Sequence, residues 1–205
     1  MQPGLLCFVV WLAALILWWC GWRKELAFGV PEWSVSLFLA AWPFAFGRVV
    51  PLGTLAEVNL GLVLIAVAAL AACLRLEAVR RWTALAAGLL LGSIALFLGK
   101  LAFLLPFLLA GNPEWAIAAL VGTIAAVLLR DPLEQWLAVS LGAIAAHLAD
   151  VWLHAESRGF AILGDSDWMA GWWLAIGCSR IVFYLLQRLA AAWSRLTWRE
   201  SGERS

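Results

Sequence analysis

The sequence predicts an all-α fold, a polytopic transmembrane helix bundle of about seven spans, and three observations support this class. First, 65% of the 205 residues are hydrophobic and only 13% are charged, whereas soluble domains are nearer half apolar and a quarter charged. Second, the apolar residues form continuous runs rather than alternating ones, which favours helices over a barrel. Third, glycine, proline and charged residues separate the runs at lengths suited to crossing a bilayer.

The apolar runs define one helical membrane domain, residues 1–192, followed by a short cytoplasmic tail, residues 193–205. The first run has no basic residue before it and no small-residue cleavage site after it, so we interpret it as a retained span rather than a signal peptide. The second span is short and contains Pro43. The seven predicted spans are residues 4–22, 33–47, 55–74, 82–105, 113–129, 133–154 and 168–190.

The basic residues predict an orientation, because loops rich in lysine and arginine stay in the cytoplasm. If the N-terminus lies outside, the outer segments hold only Arg48 and Arg158, while Lys100 and Arg180 fall within spans. The cytoplasmic segments then hold the other ten, which are Arg23, Lys24, Arg75, Arg80, Arg81, Arg130, Arg188, Arg195, Arg199 and Arg204. We therefore expect a multi-pass protein of the cell membrane with its N-terminus outside and its C-terminus inside.

Tryptophan and glycine positions add two expectations about packing. Many of the 15 tryptophans stand at predicted span ends, where indole rings anchor helices at the lipid headgroups, so we interpret them as anchors rather than as an aromatic substrate cage. Small residues recur four apart at Gly88 and Gly92, and again at Gly142 and Ala146. This spacing predicts that helices approach closely at these faces.

Ionisable side chains inside spans are costly, so they mark a candidate site. On the sixth span, His147, Asp150 and His154 fall within an arc of about 60° on one helix face. The predicted directions of the spans put all the candidate residues except Arg180 in the outer half, which indicates a polar pocket open to the outer face. The candidate cluster is Glu57, Asn59, Lys100, His147, Asp150, His154 and Arg180.

Three interpretations of this cluster remain open. Acids and bases on different spans can pair and lock the helices together, which is the usual arrangement of intramembrane charges. The histidines and Asp150 can instead form a solute or proton pathway, or the HxxDxxxH spacing can hold a metal. Because arginine keeps its charge when buried, we expect Arg180 to pair with a carboxylate on another span, first Asp150 and then Glu57.

Other classes of function find no support in the sequence. It has no nucleotide-binding or hydrolase motif and no basic cluster for nucleic acid, so we expect no catalytic residue, no cofactor and no nucleic-acid partner. The four cysteines are scattered without CxxC pairing, and we interpret them as small buried residues. The run Gly164–Asp167 is rich in acids, and we interpret it as a helix start capped by Ser166 or Asp167.

Several short motifs resemble a known family. They are Gly21–Leu26 after the first span, Pro51–Gly53 followed by Glu57–Asn59, and Gly164–Trp173 with Arg180 further along. In these motifs and their order the chain resembles the YphA-like membrane proteins of spore-forming Gram-positive bacteria. The resemblance implies a cell-membrane protein with a structural or assembly role in envelope or spore formation, in contact with the lipid bilayer and with other envelope proteins. The alternatives are a small-solute or proton-coupled transporter and a membrane-embedded metalloenzyme.

The orientation can be tested directly. A reporter enzyme that works only in the cytoplasm should be active when it is fused after Ser205. The reason is that most basic residues flank the span ends predicted to be cytoplasmic. Cysteine labelling with a membrane-impermeant reagent gives an independent reading. An extracellular C-terminus would contradict the seven-span assignment.

Overall fold

The computed structural model describes residues 3–27, 30–52, 56–104, 112–154 and 161–202. Most of these residues are helical and pack side by side, so the predicted helical bundle is confirmed. The helices are α1 (Pro3–Trp19), α2 (Arg23–Leu26), α3 (Glu32–Ala45), α4 (Leu60–Arg75), α5 (Ala78–Leu104), α6 (Pro113–Leu128), α7 (Pro132–Leu153) and α8 (Ser166–Gly202), and the strands are β1 (Val49–Pro51), β2 (Ala56–Asn59) and β3 (Ala161–Leu163).

The helices differ in whether their length suits a bilayer. Among the described residues, three are long and apolar enough to cross a membrane, over Ala78–Ala102, Pro132–Leu153 and Ser166–Ser194. Helices α1, α4 and α6 are apolar but have only 16 or 17 residues, and α3 has 14. Residues 193–202, predicted to be part of a tail, continue α8 without a break.

Longer helices that follow one another along the chain alternate in direction, so every second one points the same way. The bundle therefore has two distinct ends. Lys100 lies beside Asp150 at one end of α5 and α7, and Arg80 lies beside Glu134 at the other, so these two helices are parallel. We call the end that carries β1, β2 and β3 the sheet end. The opposite end, where Arg80 lies, is the arginine end.

The other helices follow the same alternation. Helix α3 is antiparallel to α1. Glu32 at the start of α3 pairs with Arg23 just beyond the end of α1, and Phe46 at the end of α3 lies against Gly4 at the start of α1. Helix α6 is parallel to α8, since Gly122 meets Ala175 and Gly171 meets Ala118.

The small sheet was not foreseen by the sequence analysis, which began the third span at residue 55. In the structure β2 pairs antiparallel with β1 and parallel with β3, and α4 begins only at Leu60. The change from strand to helix is fixed by Asn59, whose side-chain oxygen accepts from the backbone N–H of Gly61 at 2.8 Å. Glu57 therefore lies on a strand and not in a span.

Asparagine and aspartate caps set four of the helix starts. Besides Asn59, Asn112 caps α6 and Asp131 caps α7. The predicted helix start after Gly164 is confirmed, but the choice of its cap was wrong. Asp165 accepts from the backbone N–H of Trp168 at 3.1 Å, because the helix already begins at Ser166.

Glycine brings two pairs of parallel helices into backbone contact, as the small-residue spacing predicted. A Cβ atom added at Gly92 would lie 2.7 Å from the carbonyl oxygen of Gly142, and one added at Gly142 would lie 2.7 Å from that of Gly88. Gly122 of α6 meets the backbone of Ala175 on α8 in the same way. Side chains at these positions would force the helices apart.

Tryptophan has two roles rather than the single predicted one. Anchoring suits the exposed tryptophans at helix ends, such as Trp33, Trp82 and Trp152. An aromatic cluster instead fills the interior where α3 meets α7 and α8, with Trp42 and Trp172 stacked at a ring distance of 5.9 Å. Its other members are Phe38, Phe46, Trp136 and Trp173.

Pro43 interrupts the hydrogen bonding of α3, and a tryptophan from α1 compensates. Proline has no N–H, so the carbonyl of Leu39 loses its partner within the helix. The indole Nε1–H of Trp11 donates to this carbonyl at 3.0 Å in a buried position. The same contact therefore satisfies a buried acceptor and fastens α3 to α1.

This arrangement predicts a conditional effect of mutation. Trp11→Phe should lower stability through both lost packing and an unsatisfied carbonyl, and the carbonyl contribution should be about 1–3 kcal/mol. In a Pro43→Ala background the restored backbone N–H can serve Leu39, so the same substitution should cost less by that amount. Thermal unfolding in detergent of the wild type, both single variants and the double variant measures the difference. Equal costs in both backgrounds would contradict the hydrogen-bond assignment.

Candidate functional site

The sheet end carries a compact charged cluster between α5 and α7. The ammonium of Lys100 donates to Oδ1 of Asp150 at 2.9 Å and lies 3.0 Å from Nε2 of His154. Nδ1 of His154 is 2.8 Å from the backbone carbonyl of Asp150. Because a carbonyl can only accept, Nδ1 carries the proton and Nε2 is free to accept from Lys100. The three side chains thus form one closed hydrogen-bond network.

This network is only partly shielded. The side chains of Lys100, Asp150 and His154 keep 40%, 32% and 37% of their surface exposed. Through these hydrogen bonds the side chains of Lys100 and Asp150 face each other across α5 and α7. The network is therefore open to the surroundings at the sheet end.

His147 lies on the same helix face but has a different role. Its Nε2 accepts the backbone N–H of Gly164 at 3.0 Å, and its ring lies 5.4 Å from that of Trp168. It therefore fastens the start of α8 to α7. Within the described parts of the chain, no three histidine, cysteine, aspartate or glutamate side chains form a group that could hold a metal. The HxxDxxxH spacing does not bring its two histidines to one point.

The candidates from the predicted third span do not join the Lys100 network through any described hydrogen bond. Asn59 is 6% exposed and serves as the cap of α4. Glu57 lies on β2, opposite Pro51 of β1 and Ile162 of β3. Both residues lie at the sheet end.

Arg180 lies far from this cluster, toward the arginine end. Its guanidinium donates to Oε1 of Gln135 at 3.4 Å and lies 5.4 Å from the ring of Phe183. Asp150 follows Gln135 by fifteen residues on the same helix, about 22 Å along its axis. The predicted Arg180–Asp150 pair is therefore wrong, and the acceptor that the structure gives Arg180 is the amide oxygen of Gln135.

Gln135 is the residue that sequence reasoning missed at this end. It is 1% exposed, and its amide nitrogen donates to the carbonyl of Leu129 at the end of α6 at 2.7 Å. Its amide oxygen accepts from the hydroxyl of Ser179 on α8 at 3.1 Å as well as from Arg180. Gln135 thus joins three helices, and an uncharged polar residue in the first turn of a span is the signal that could have found it.

A second charged cluster lies at the arginine end of the same two helices. The guanidinium of Arg80 on α5 pairs with Asp131 at 2.6 Å and with Glu134 at the start of α7. Asp131 also caps α7, accepting from the backbone N–H of Leu133 at 2.8 Å. From the sequence, Arg80 served only to predict the orientation of the chain, and its pairing with α7 was not foreseen.

The two clusters and the glycine contact form one unit. Arg80 ties α5 to α7 at one end, Lys100 ties them at the other, and Gly92 meets Gly142 between the two. The arrangement can hold two parallel helices in a fixed register. The charges of Lys100 and Arg80 are each compensated by a carboxylate on the opposite helix.

No family model matches this chain, and no curated protein or solved structure matches it either. The geometry of the clusters is therefore the basis for assigning a function.

The Lys100 cluster predicts energetic coupling between two residues fifty positions apart. Lys100→Met and Asp150→Leu should each destabilise the protein by about 1–3 kcal/mol, because each leaves an uncompensated charge in a partly buried site. The double variant should lose less than the sum of the two. Folded yield after heating in detergent measures all three.

The Arg23–Glu32 pair is a matched control. A guanidinium nitrogen of Arg23 lies 3.7 Å from a carboxylate oxygen of Glu32, and both side chains are 53% exposed. The interaction energy between these two side chains should therefore be close to zero. If the stability losses of Lys100→Met and Asp150→Leu simply add in the double variant, as expected for the control, the pair does not stabilise the bundle.

Proposed function

We propose that this chain is a multi-pass cell-membrane protein that crosses the bilayer seven times and has a non-enzymatic, structural or assembly role in the cell envelope. Three helices have the length and hydropathy for crossing, and the alternating directions carry the shorter helices along the same axis. The arginine end holds Arg23, Arg75, Arg80 and Arg130, which supports a cytoplasmic location for that end and an N-terminus outside.

The observation that carries the structural role is the mutual compensation of charge along α5 and α7. Lys100 pairs with Asp150, and Arg80 pairs with Asp131 and Glu134. Partly shielded pairs of this kind favour one helix register, because any other register would leave their charges without a partner. A protein that organises partners in a membrane needs this fixed geometry.

A proton-coupled or small-solute transporter is the second candidate, and one observation favours it. The Lys100, Asp150 and His154 side chains are about one third exposed at the sheet end, so a solute could reach them. A transporter also needs a path onward to the opposite end. Between α5 and α7 such a path is closed, because the backbones touch at Gly92 and Gly142.

The particular process rests on the resemblance to the YphA-like family alone. It suggests envelope or spore formation, with other membrane or envelope proteins as partners. A membrane-embedded metalloenzyme draws no support from the described clusters, because His147 is engaged by Gly164.

The two functions make opposite predictions for a neutral replacement of the Lys100 pair. Combined Lys100→Met and Asp150→Leu removes both charges and leaves two apolar side chains that can pack against each other. If the pair is structural, the double variant should restore the phenotype of a deletion strain as well as the wild type. It should also conduct no more protons than empty vesicles when reconstituted in liposomes with a pH-sensitive dye.

A transporter would behave differently in both measurements. The wild type would dissipate a pH or solute gradient, and the double variant would neither do so nor restore the phenotype. That result would overturn the structural proposal. The Arg23→Gln and Glu32→Gln double variant, which removes an exposed pair, controls for a general effect of losing two charges.

A further inference from the structure

The junction between α4 and α5, at the arginine end, holds arginines whose charge the bundle does not neutralise. Arg75 is the exposed last residue of α4, and Arg81 lies in the first turn of α5. Arg130 is exposed between α6 and α7. None of the three forms an ion pair in the part of the chain that the structure describes. We call Arg75, Arg81 and Arg130 the junction arginines.

Arg81 is held at this junction by the end of the preceding helix. Its Nη2 donates to the carbonyl of Leu76 at 3.0 Å, and Leu76 ends α4 directly after Arg75. Its Nε is buried with no hydrogen-bond partner among the described residues. The guanidinium is therefore fixed next to the end of α4, and the neutral carbonyl that it contacts leaves its positive charge uncompensated.

The ion pair between α5 and α7 brings Arg130 to the same junction. Arg80 directly precedes Arg81, and it pairs with Asp131, the residue after Arg130. Arg80 also pairs with Glu134. Both carboxylates of this ion pair are therefore engaged by Arg80, and the neighbouring Arg130 remains exposed.

One positive charge is left at the junction when the acids of the described residues around it are counted. Asp131 and Glu134 pair with Arg80. The third acid is Glu77, which is exposed between α4 and α5. Arg80 and the junction arginines thus face three carboxylates with four positive charges. A single anion with oxygen acceptors would balance them, and guanidinium groups suit the oxygens of a phosphate.

The surface beside the junction arginines is apolar. Leu74, Val79 and Trp82 are 67%, 78% and 70% exposed, and each adjoins an arginine in the sequence. A tryptophan at a helix end suits the headgroup level of a bilayer. An anion bound here would meet apolar surface as well as arginine, which fits a lipid with hydrocarbon tails better than a free phosphate ion.

We propose that the junction arginines bind the phosphodiester of an anionic phospholipid, whose acyl chains lie against Trp82 and its apolar neighbours. The proposal rests on the membrane crossing proposed above, which sets this end at the headgroup layer. Basic sites between helices on the cytoplasmic side bind acidic headgroups. A zwitterionic lipid would bring a cation of its own and leave the charge of the junction uncompensated.

Orientation alone explains on which side arginines lie, but it does not require a lipid site. Arginines that only keep a segment in the cytoplasm act through their number and need no particular neighbour. Arg188 is a suitable comparison at the same end, because it is exposed and its Nε donates to the hydroxyl of Tyr184 on its own helix at 2.8 Å. Arg188→Gln therefore removes one positive charge outside the junction and serves as the matched control.

Lipid retention in detergent tests the site. The full-length chain, purified in mixed micelles of phosphatidylglycerol and phosphatidylcholine, should retain phosphatidylglycerol preferentially in native mass spectrometry. Arg81→Gln and Arg130→Gln should each weaken this retention about fivefold, and Glu77→Gln should strengthen it, whereas Arg188→Gln should leave it unchanged. Arg130 makes no described hydrogen bond, so its variant should fold even if Arg81→Gln does not.

Three results would overturn the proposal. Equal losses for Arg188→Gln and the junction variants would show attraction to total charge alone, and an equal retention of both lipids by the wild type would show no selection of anions. Displacement of phosphatidylglycerol by an equal concentration of inorganic phosphate would identify a free anion as the ligand. A failure of the membrane crossing itself would appear separately, as release of the wild-type chain from membranes by alkaline carbonate.

Discussion

The backbone contact between α5 and α7 is the constraint on which the other charged contacts depend. Gly92 and Gly142 allow the two helices to touch, and from this point the chain reaches an ion pair in each direction. Lysine and arginine side chains extend only a few ångströms beyond the helix surface, so a larger residue at either glycine would separate the basic groups from their carboxylates at both ends. Close packing therefore comes first in this structure, and charge compensation follows from it.

Helix α3 shows how a short element can be held in the same bundle. Its 14 residues are fewer than the roughly 20 of a typical span, and Pro43 weakens its own hydrogen bonding. Its neighbours supply what it lacks, since Trp11 serves the free carbonyl of Leu39 and the rings of Trp172 and Trp173 surround Trp42. Several tryptophans that a membrane interpretation assigns to anchoring are thus interior packing residues. Their position relative to a helix end does not distinguish the two roles.

The sequence was sufficient for the helical bundle, most helix boundaries and the small-residue contacts, because these depend on composition and local spacing. It also identified Asp150 and Lys100 as residues needing partners, since an ionisable group within an apolar run is rare. It could not assign those partners, because α5 and α7 are adjacent in space but not consecutive in sequence. Arg180 was paired with Asp150 only because both were expected deep in the membrane. Its true neighbour, Gln135, bonds to groups on other helices, and these contacts depend on how α6, α7 and α8 meet. The β2 strand was missed because its four residues join directly onto an apolar helix.

The Gln135 network also fixes how α8 is rotated in the bundle. A helix that projects from a bundle can present a defined face only if its rotation about its own axis is fixed where it leaves. Ser179 donates to Gln135 in a fully buried position, about halfway along the apolar part of α8. Because Gln135 is held in turn by the carbonyl of Leu129, the rotation of α8 is set by α6 and α7 together. The face that α8 turns away from the bundle is therefore a property of the packing of three helices, and it cannot be read from the sequence of α8 alone.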